Sequence, residues 1–188
     1  MLLLALALAA CGRGEVRPGT SDITGAMPDL SFRMTRATDG TVVTAADYRG
    51  KVVLLYFGYT HCPDACPTTL ANLATVLQKL GPRAKNVRVL FITVDPARDT
   101  LPLLKAYAAS FAPQIDGLRG TDDEIASLAR RYRVLCRVTQ NPSGAVEVMH
   151  ASSTFFFDKD GRARLVTTNT DDTAAIAGDI ARLLRSDS

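Results

Sequence analysis

Two cysteines, Cys62 and Cys66, stand four residues apart in the stretch Tyr56-Phe-Gly-Tyr-Thr-His-Cys-Pro-Asp-Ala-Cys-Pro67. Such a pair can hold a soft metal as thiolates, or cycle between dithiol and disulfide. Each cysteine precedes a proline, which disfavours the α region for its predecessor and is welcome at the first position of a helix. Cys66 is therefore expected to cap a helix that Pro67 begins, and Cys62 to cap a preliminary turn in the same way. Both sulfurs would then lie near unpaired helix N-terminal amides, where the dipole favours thiolate.

Thiolates select Cu(I), zinc or iron–sulfur clusters, and imidazole suits copper or zinc. A metal would need a third donor, and the sequence offers two histidines, His61 and His150. His61 adjoins Cys62 and cannot easily turn its ring to the same ion, so it reads as a loop or packing residue. His150 stands between two strand-like segments, just before Ala151-Ser-Ser-Thr-Phe-Phe-Phe157. Alone it would read as an ordinary loop residue, and its use depends on where the fold puts that loop.

The elements answer that question. Leu30 to Val43 reads as two short strands around Asp39-Gly40, a type-I′ hairpin dipeptide. Val52-Val-Leu-Leu-Tyr-Phe57 lacks alternation and is β-branched and aromatic, so it predicts a central strand buried on both faces. Leu70, Leu73, Ala74, Leu77 and Leu80 recur at helical spacing and stop at Gly81-Pro82. Val87 to Val94 predicts a strand and Asp99 to Phe111 a helix capped by Asp99 or Thr100. Thr121 to Glu124 has capping-box spacing and opens a helix to about Tyr132. Strands are expected at 132–138, 146–149, 154–158 and 163–168, then a closing helix through Ile176, Ile180 and Leu183.

The fold class is thus α/β: a thioredoxin-like fold, with a mixed central sheet, helices on both faces and an N-terminal β-hairpin. In such a sheet the loop entering the strand at Thr154 lies opposite the cysteines, which makes His150 the candidate third ligand. Asp95 and Asp99, in Val-Asp-Pro-Ala-Arg-Asp-Thr100, are candidates for orienting the site or a partner; a loop turn and a helix cap explain them equally well. Thioredoxin-type oxidoreductases separate their cysteines by two residues. They also carry a cis-proline before the facing strand. Here three residues intervene and Ser153 precedes Thr154, so ordinary thioredoxin chemistry is disfavoured.

The 188 residues, 47% hydrophobic and 22% charged, suffice for one domain. A net charge of +3 from 22 basic and 19 acidic residues, without a basic run, gives no case for nucleic acid. Met1 to Cys11 resembles the apolar part of a secretory signal ending in a lipobox, Leu8-Ala-Ala-Cys11, though no Lys or Arg precedes the apolar run. Cys11 would be lipidated, anchoring the protein rather than spanning the membrane. Residues 1–11 are then signal, 12–27 linker and 28–188 one domain. In an oxidising extracytoplasmic compartment, Cys62 and Cys66 need a disulfide or a metal, while Cys136, in an apolar run, reads as a small core residue.

With Thr44-Ala-Ala-Asp-Tyr-Arg-Gly-Lys51, Gly58-Tyr-Thr-His-Cys-Pro-Asp-Ala-Cys-Pro67, Val94-Asp-Pro-Ala-Arg-Asp-Thr100 and His150 followed by Phe155-Phe-Phe-Asp-Lys-Asp-Gly161, the chain resembles the Sco (SenC/PrrC) family over nearly all of residues 30–185. The resemblance implies one copper ion, Cu(I) or Cu(II), on Cys62, Cys66 and His150. It also implies a metallochaperone that assists the Cu-A site of cytochrome c oxidase, with oxidase subunit II and another copper chaperone as candidate partners. Two other functions remain open at this stage: a thiol–disulfide reductase of oxidase cysteines, which needs the two cysteines alone, and a redox or copper sensor.

Overall fold

The computed structural model describes residues 19–140, 146–150 and 152–186, with the strands between 136 and 150 described as backbone. In chain order the strands are β1 (Ser21–Asp22), β2 (Arg33–Arg36), β3 (Val42–Thr44), β4 (Val52–Gly58), β5 (Val87–Thr93), β6 (Ile115–Arg119), β7 (Cys136–Gln140), β8 (Val146–His150), β9 (Thr154–Phe157) and β10 (Ala163–Thr167). The helices are α1 (Ala65–Leu80), α2 (Leu101–Ala109), α3 (Asp122–Arg131) and α4 (Thr173–Arg185). Eight strands form one sheet in the order β1-β10-β9-β4-β5-β6-β2-β3, and β7 and β8 form a separate pair.

β4 pairs parallel with β5 and antiparallel with β9, and β5 pairs parallel with β6, so the sheet is mixed as expected. Every residue of β4 is buried, which requires cover on both faces. Ring contacts show what supplies it. Tyr56 and Phe91, register partners on β4 and β5, lie on one face, and Tyr107 of α2 packs on Phe91. Tyr132, at the end of α3, packs on Phe155 and Phe157, the register partners of Leu55 and Val53 on the opposite face. α4 lies along α1.

Several boundaries differ from the sequence expectation. β6 was not foreseen, because Asp116 and Gly117 are poor strand formers. Each has a local reason: the Tyr48 hydroxyl bonds Asp116 Oδ2 at 3.1 Å, and a Cβ at Gly117 would lie 2.6 Å from Leu104 Cγ. The β2–β3 turn is not type I′, which needs positive φ at both central residues. Gly40 alone has it (φ 73°), and Asp39 instead accepts from Arg36 Nη2 at 2.6 Å and Thr41 Oγ1 at 2.7 Å. Residues 19–27 are not a free linker. β1 pairs with β10, Ile23 N–H bonds the Arg164 carbonyl at 2.9 Å, and the Thr20 hydroxyl donates to buried Asp179 at 2.6 Å. Cys11 and the rest of the expected signal and linker, residues 1–18, lie outside the described residues.

Candidate metal centre

Cys62 and Cys66 sit where β4 runs into α1, and both are free thiols. The helix starts one residue before the second cysteine, at Ala65, so Cys66 is its second residue and Pro67 its third, not cap and first residue as expected. Pro67 is tolerated because the first-turn N–H groups have no intrahelical acceptor. Asp64 occupies the cap position but makes no side-chain cap bond. The Cys66 N–H points instead at Cys62 Sγ, 3.3 Å away. One candidate ligand thus caps the helix that carries the other.

Cys66 is fully buried and Cys62 half-buried. The Cys66 sulfur lies over Gly58, where a Cβ would come within 2.9 Å of Sγ and 2.4 Å of Phe91 Cε2. Burial, then the hydrogen bond to Cys62, pushes the Cys66 thiol up to about 12, while the Tyr59 backbone N–H and the Tyr56 hydroxyl pull the other way. Burial therefore works against the dipole-stabilised thiolate expected at Cys66. Loss of hydration outweighs the partial positive charge of one helix end. Tyr59 hydrogen-bonds Cys62, so each sulfur has its own tyrosine neighbour.

The two aspartates of the 95–99 segment separate in role. Asp99 is wholly buried and accepts from the Thr60 N–H at 3.0 Å, the Thr60 hydroxyl at 2.6 Å and the Thr93 hydroxyl at 2.6 Å. It fastens the loop that leads into Cys62 to the end of β5. It is not the cap of α2: Thr100 is, accepting from the Leu103 N–H. Asp95, also buried, pairs with Arg98, and its backbone carbonyl accepts from Arg98 and Asp99. Asp95 thus closes its own turn. His61 is half exposed and turned toward Thr60 Oγ1 (3.1 Å) and Asp99 Oδ1 (3.6 Å).

His150 is the last residue of β8, and its register partner is Cys136 on β7. The side chains of His150 and Cys136, and all of Ala151, lie outside the described residues. Among the described residues no group of three or more His, Cys, Asp or Glu is arranged to hold a metal ion. The described donors are therefore the paired sulfurs, a soft set open to solvent through half-buried Cys62 and in need of a further ligand.

Sequence reasoning missed the polar neighbours of the pair: Tyr56 and Tyr59 at the sulfurs, and Thr60 and Thr93 on Asp99. The tyrosines flank the cysteines in sequence, but their apolar bulk was already explained by the strand. Among the described residues no helix is long and apolar enough to cross a membrane.

Comparison with known proteins gives a family match: the SCO1/SenC model covers residues 25–185. The mitochondrial Protein SCO2 homolog of Bos taurus is 48% identical over 97 residues, which are 50% of this chain and 36% of that protein. The chain thus spans well under two thirds of that relative. The structure of Bradyrhizobium japonicum ScoI with copper bound superposes with a TM-score of 0.76 at 37% identity, covering 83% of this chain and 99% of the other. A SCO1/SenC family lipoprotein from Bacillus anthracis gives a TM-score of 0.69 at 28% identity, covering 82% and 94%.

Proposed function

Because this chain belongs to the SCO1/SenC family, we propose that it is an extracytoplasmic copper-binding protein that assists assembly of the Cu-A site of cytochrome c oxidase. One copper ion would be held by Cys62, Cys66 and His150. The observation that carries the reading is the pair of free thiols locked together at the start of α1, in a fold shared with a copper-bound ScoI. Bound copper would supply a soft cation for transfer between thiolate sites.

The chain's own residues account for holding and release. Asp99 and Thr60 fix the loop before Cys62, and Gly58 leaves room for the Cys66 sulfur. Two thiolates and a neutral imidazole give Cu(I) a net negative site and neutralise Cu(II). The imidazole is the donor most easily surrendered, since it alone has a reference pKa near neutrality. Oxidation of Cys62 and Cys66 to a disulfide removes two donors at once, so metal loading and disulfide formation exclude each other. Oxidase subunit II is the proposed recipient, with another copper chaperone as donor. Lipid on Cys11 would tether the domain to the membrane, a reading supported by the lipoprotein relative.

A second reading rests on the same thiols. One half-buried and one buried cysteine suit a reductase, in which the Cys62 and Cys66 thiols become a disulfide while a client disulfide becomes two thiols. A strain lacking the protein separates the readings. If copper handling is the role, oxidase activity returns with the wild type but not with Cys62→Ser or His150→Ala. If His150→Ala restores it fully, the reductase reading holds. Normal oxidase without the protein refutes both.

A further inference from the structure

Tyr107 stands on α2 against Phe91, a ring that borders the same space over Gly58 as the Cys66 sulfur, and its hydroxyl is an anomaly. The oxygen is shut off from solvent and has no hydrogen-bond partner among the described residues. Buried polar atoms are nearly always satisfied, and an orphan in a folded protein calls for an explanation. The ring is firmly held, with its centroid 5.6 Å from that of Phe91 and 5.2 Å edge-on from that of Phe111. Phe91 is also the ring that meets the space above Gly58 where Cys66 Sγ lies. Burial first, then the charges of Cys66, Cys62 and Asp99, raises the Tyr107 phenol.

Asp99 already accepts from Thr60 and Thr93. The Cys66 sulfur, as a thiol, is a weak acceptor and has Tyr56 and the Tyr59 N–H beside it. A metal changes that balance. Binding replaces the thiol proton and leaves an anionic sulfur able to accept further hydrogen bonds, which are stronger when the acceptor is charged.

We infer that the Tyr107 hydroxyl, which has no partner among the described residues, is a positioning group of the metal centre that donates to a cysteine sulfur when the site is loaded. The inference rests on the copper reading above. It predicts effects of opposite sign in the two states: removing the hydroxyl relieves an unsatisfied group in the empty protein and deprives the loaded one of a donor. A residue that served packing alone would affect both states alike.

The test compares the reduced wild-type chain with Tyr107→Phe. Without metal, the variant should melt at the same temperature or higher. Its Cu(I) affinity, measured by competition with a chromophoric chelator, should fall roughly tenfold, the loss expected for a hydrogen bond to a charged group. The thiolate-to-Cu(II) charge-transfer band should move to longer wavelength as the sulfur loses its donor. Unchanged affinity and band, or a lower melting temperature in the metal-free variant, overturns the inference while leaving the copper reading standing. If the wild type shows neither tight Cu(I) binding nor the band, the copper reading falls and takes this inference with it.

Discussion

Replacing Asp99 by alanine deprives three donors of their acceptor: the Thr60 N–H at 3.0 Å, the Thr60 hydroxyl at 2.6 Å and the Thr93 hydroxyl at 2.6 Å. The Thr60 hydroxyl has an alternative in His61 Nδ1 at 3.1 Å. The Thr60 N–H and the Thr93 hydroxyl donate to no other acceptor among the described residues, and each such buried loss is worth about 1–3 kcal/mol. Asp99→Ala should therefore destabilise the metal-free protein by about 3–4 kcal/mol, or lower the melting temperature by about 10 °C in a chain of this size. Asp99→Asn keeps one carbonyl oxygen for Thr60 N–H and Thr93, and its amide can donate to Thr60 Oγ1. It loses mainly the charge assistance and should cost about 1–2 kcal/mol. Urea unfolding under reductant measures both, and copper competition should show weaker binding in the alanine variant, whose Cys62 loop has lost its anchor. Asp95→Ala, which loosens Arg98 over the Tyr59 ring but leaves all three bonds to Asp99 in place, should weaken copper binding less than Asp99→Ala. A loss under about 1 kcal/mol for Asp99→Ala, or equal losses for alanine and asparagine, would refute the reasoning.

Two further outcomes follow from the site. The Cys66 thiol, pushed up to about 12, still carries its proton across the neutral range, so each metal bound must release it. Metal affinity should accordingly rise with pH by at least about tenfold per unit between pH 6 and 8, and a competition titration showing no pH dependence would contradict this. Gly58→Ala places a methyl 2.4 Å from Phe91 Cε2 and 2.9 Å from Cys66 Sγ. It should destabilise by about 1–3 kcal/mol and weaken metal binding, and a variant as stable as wild type with intact binding would show that the space is larger than it looks.

Much of the scaffold was readable because its signals are strong and local. The unbroken run 52–57 became the buried strand β4, and Thr121 with Glu124 formed the expected capping box at 2.8 and 3.2 Å. β6 escaped because Gly117 and Asp116 serve tertiary contacts that override strand propensity. β1 escaped because its two residues are strand only through pairing with β10. At the site, residue type and spacing marked the cysteines. They could not tell that Asp99 turns inward to Thr60 while Asp95 turns to Arg98, since both read alike as turn and cap residues. The state of the Cys66 sulfur was also invisible, because depth of burial decides it and sequence near a helix start suggests the reverse.

The most direct measurement is anaerobic copper titration of the reduced chain, wild type beside His150→Ala, followed by absorption and spin-resonance spectra. A three-ligand site predicts one tight equivalent with a thiolate-to-copper charge-transfer band in the wild type, and weaker binding with an altered spectrum in the variant. Weak binding, or binding indifferent to the substitution, would contradict a site made by Cys62, Cys66 and His150.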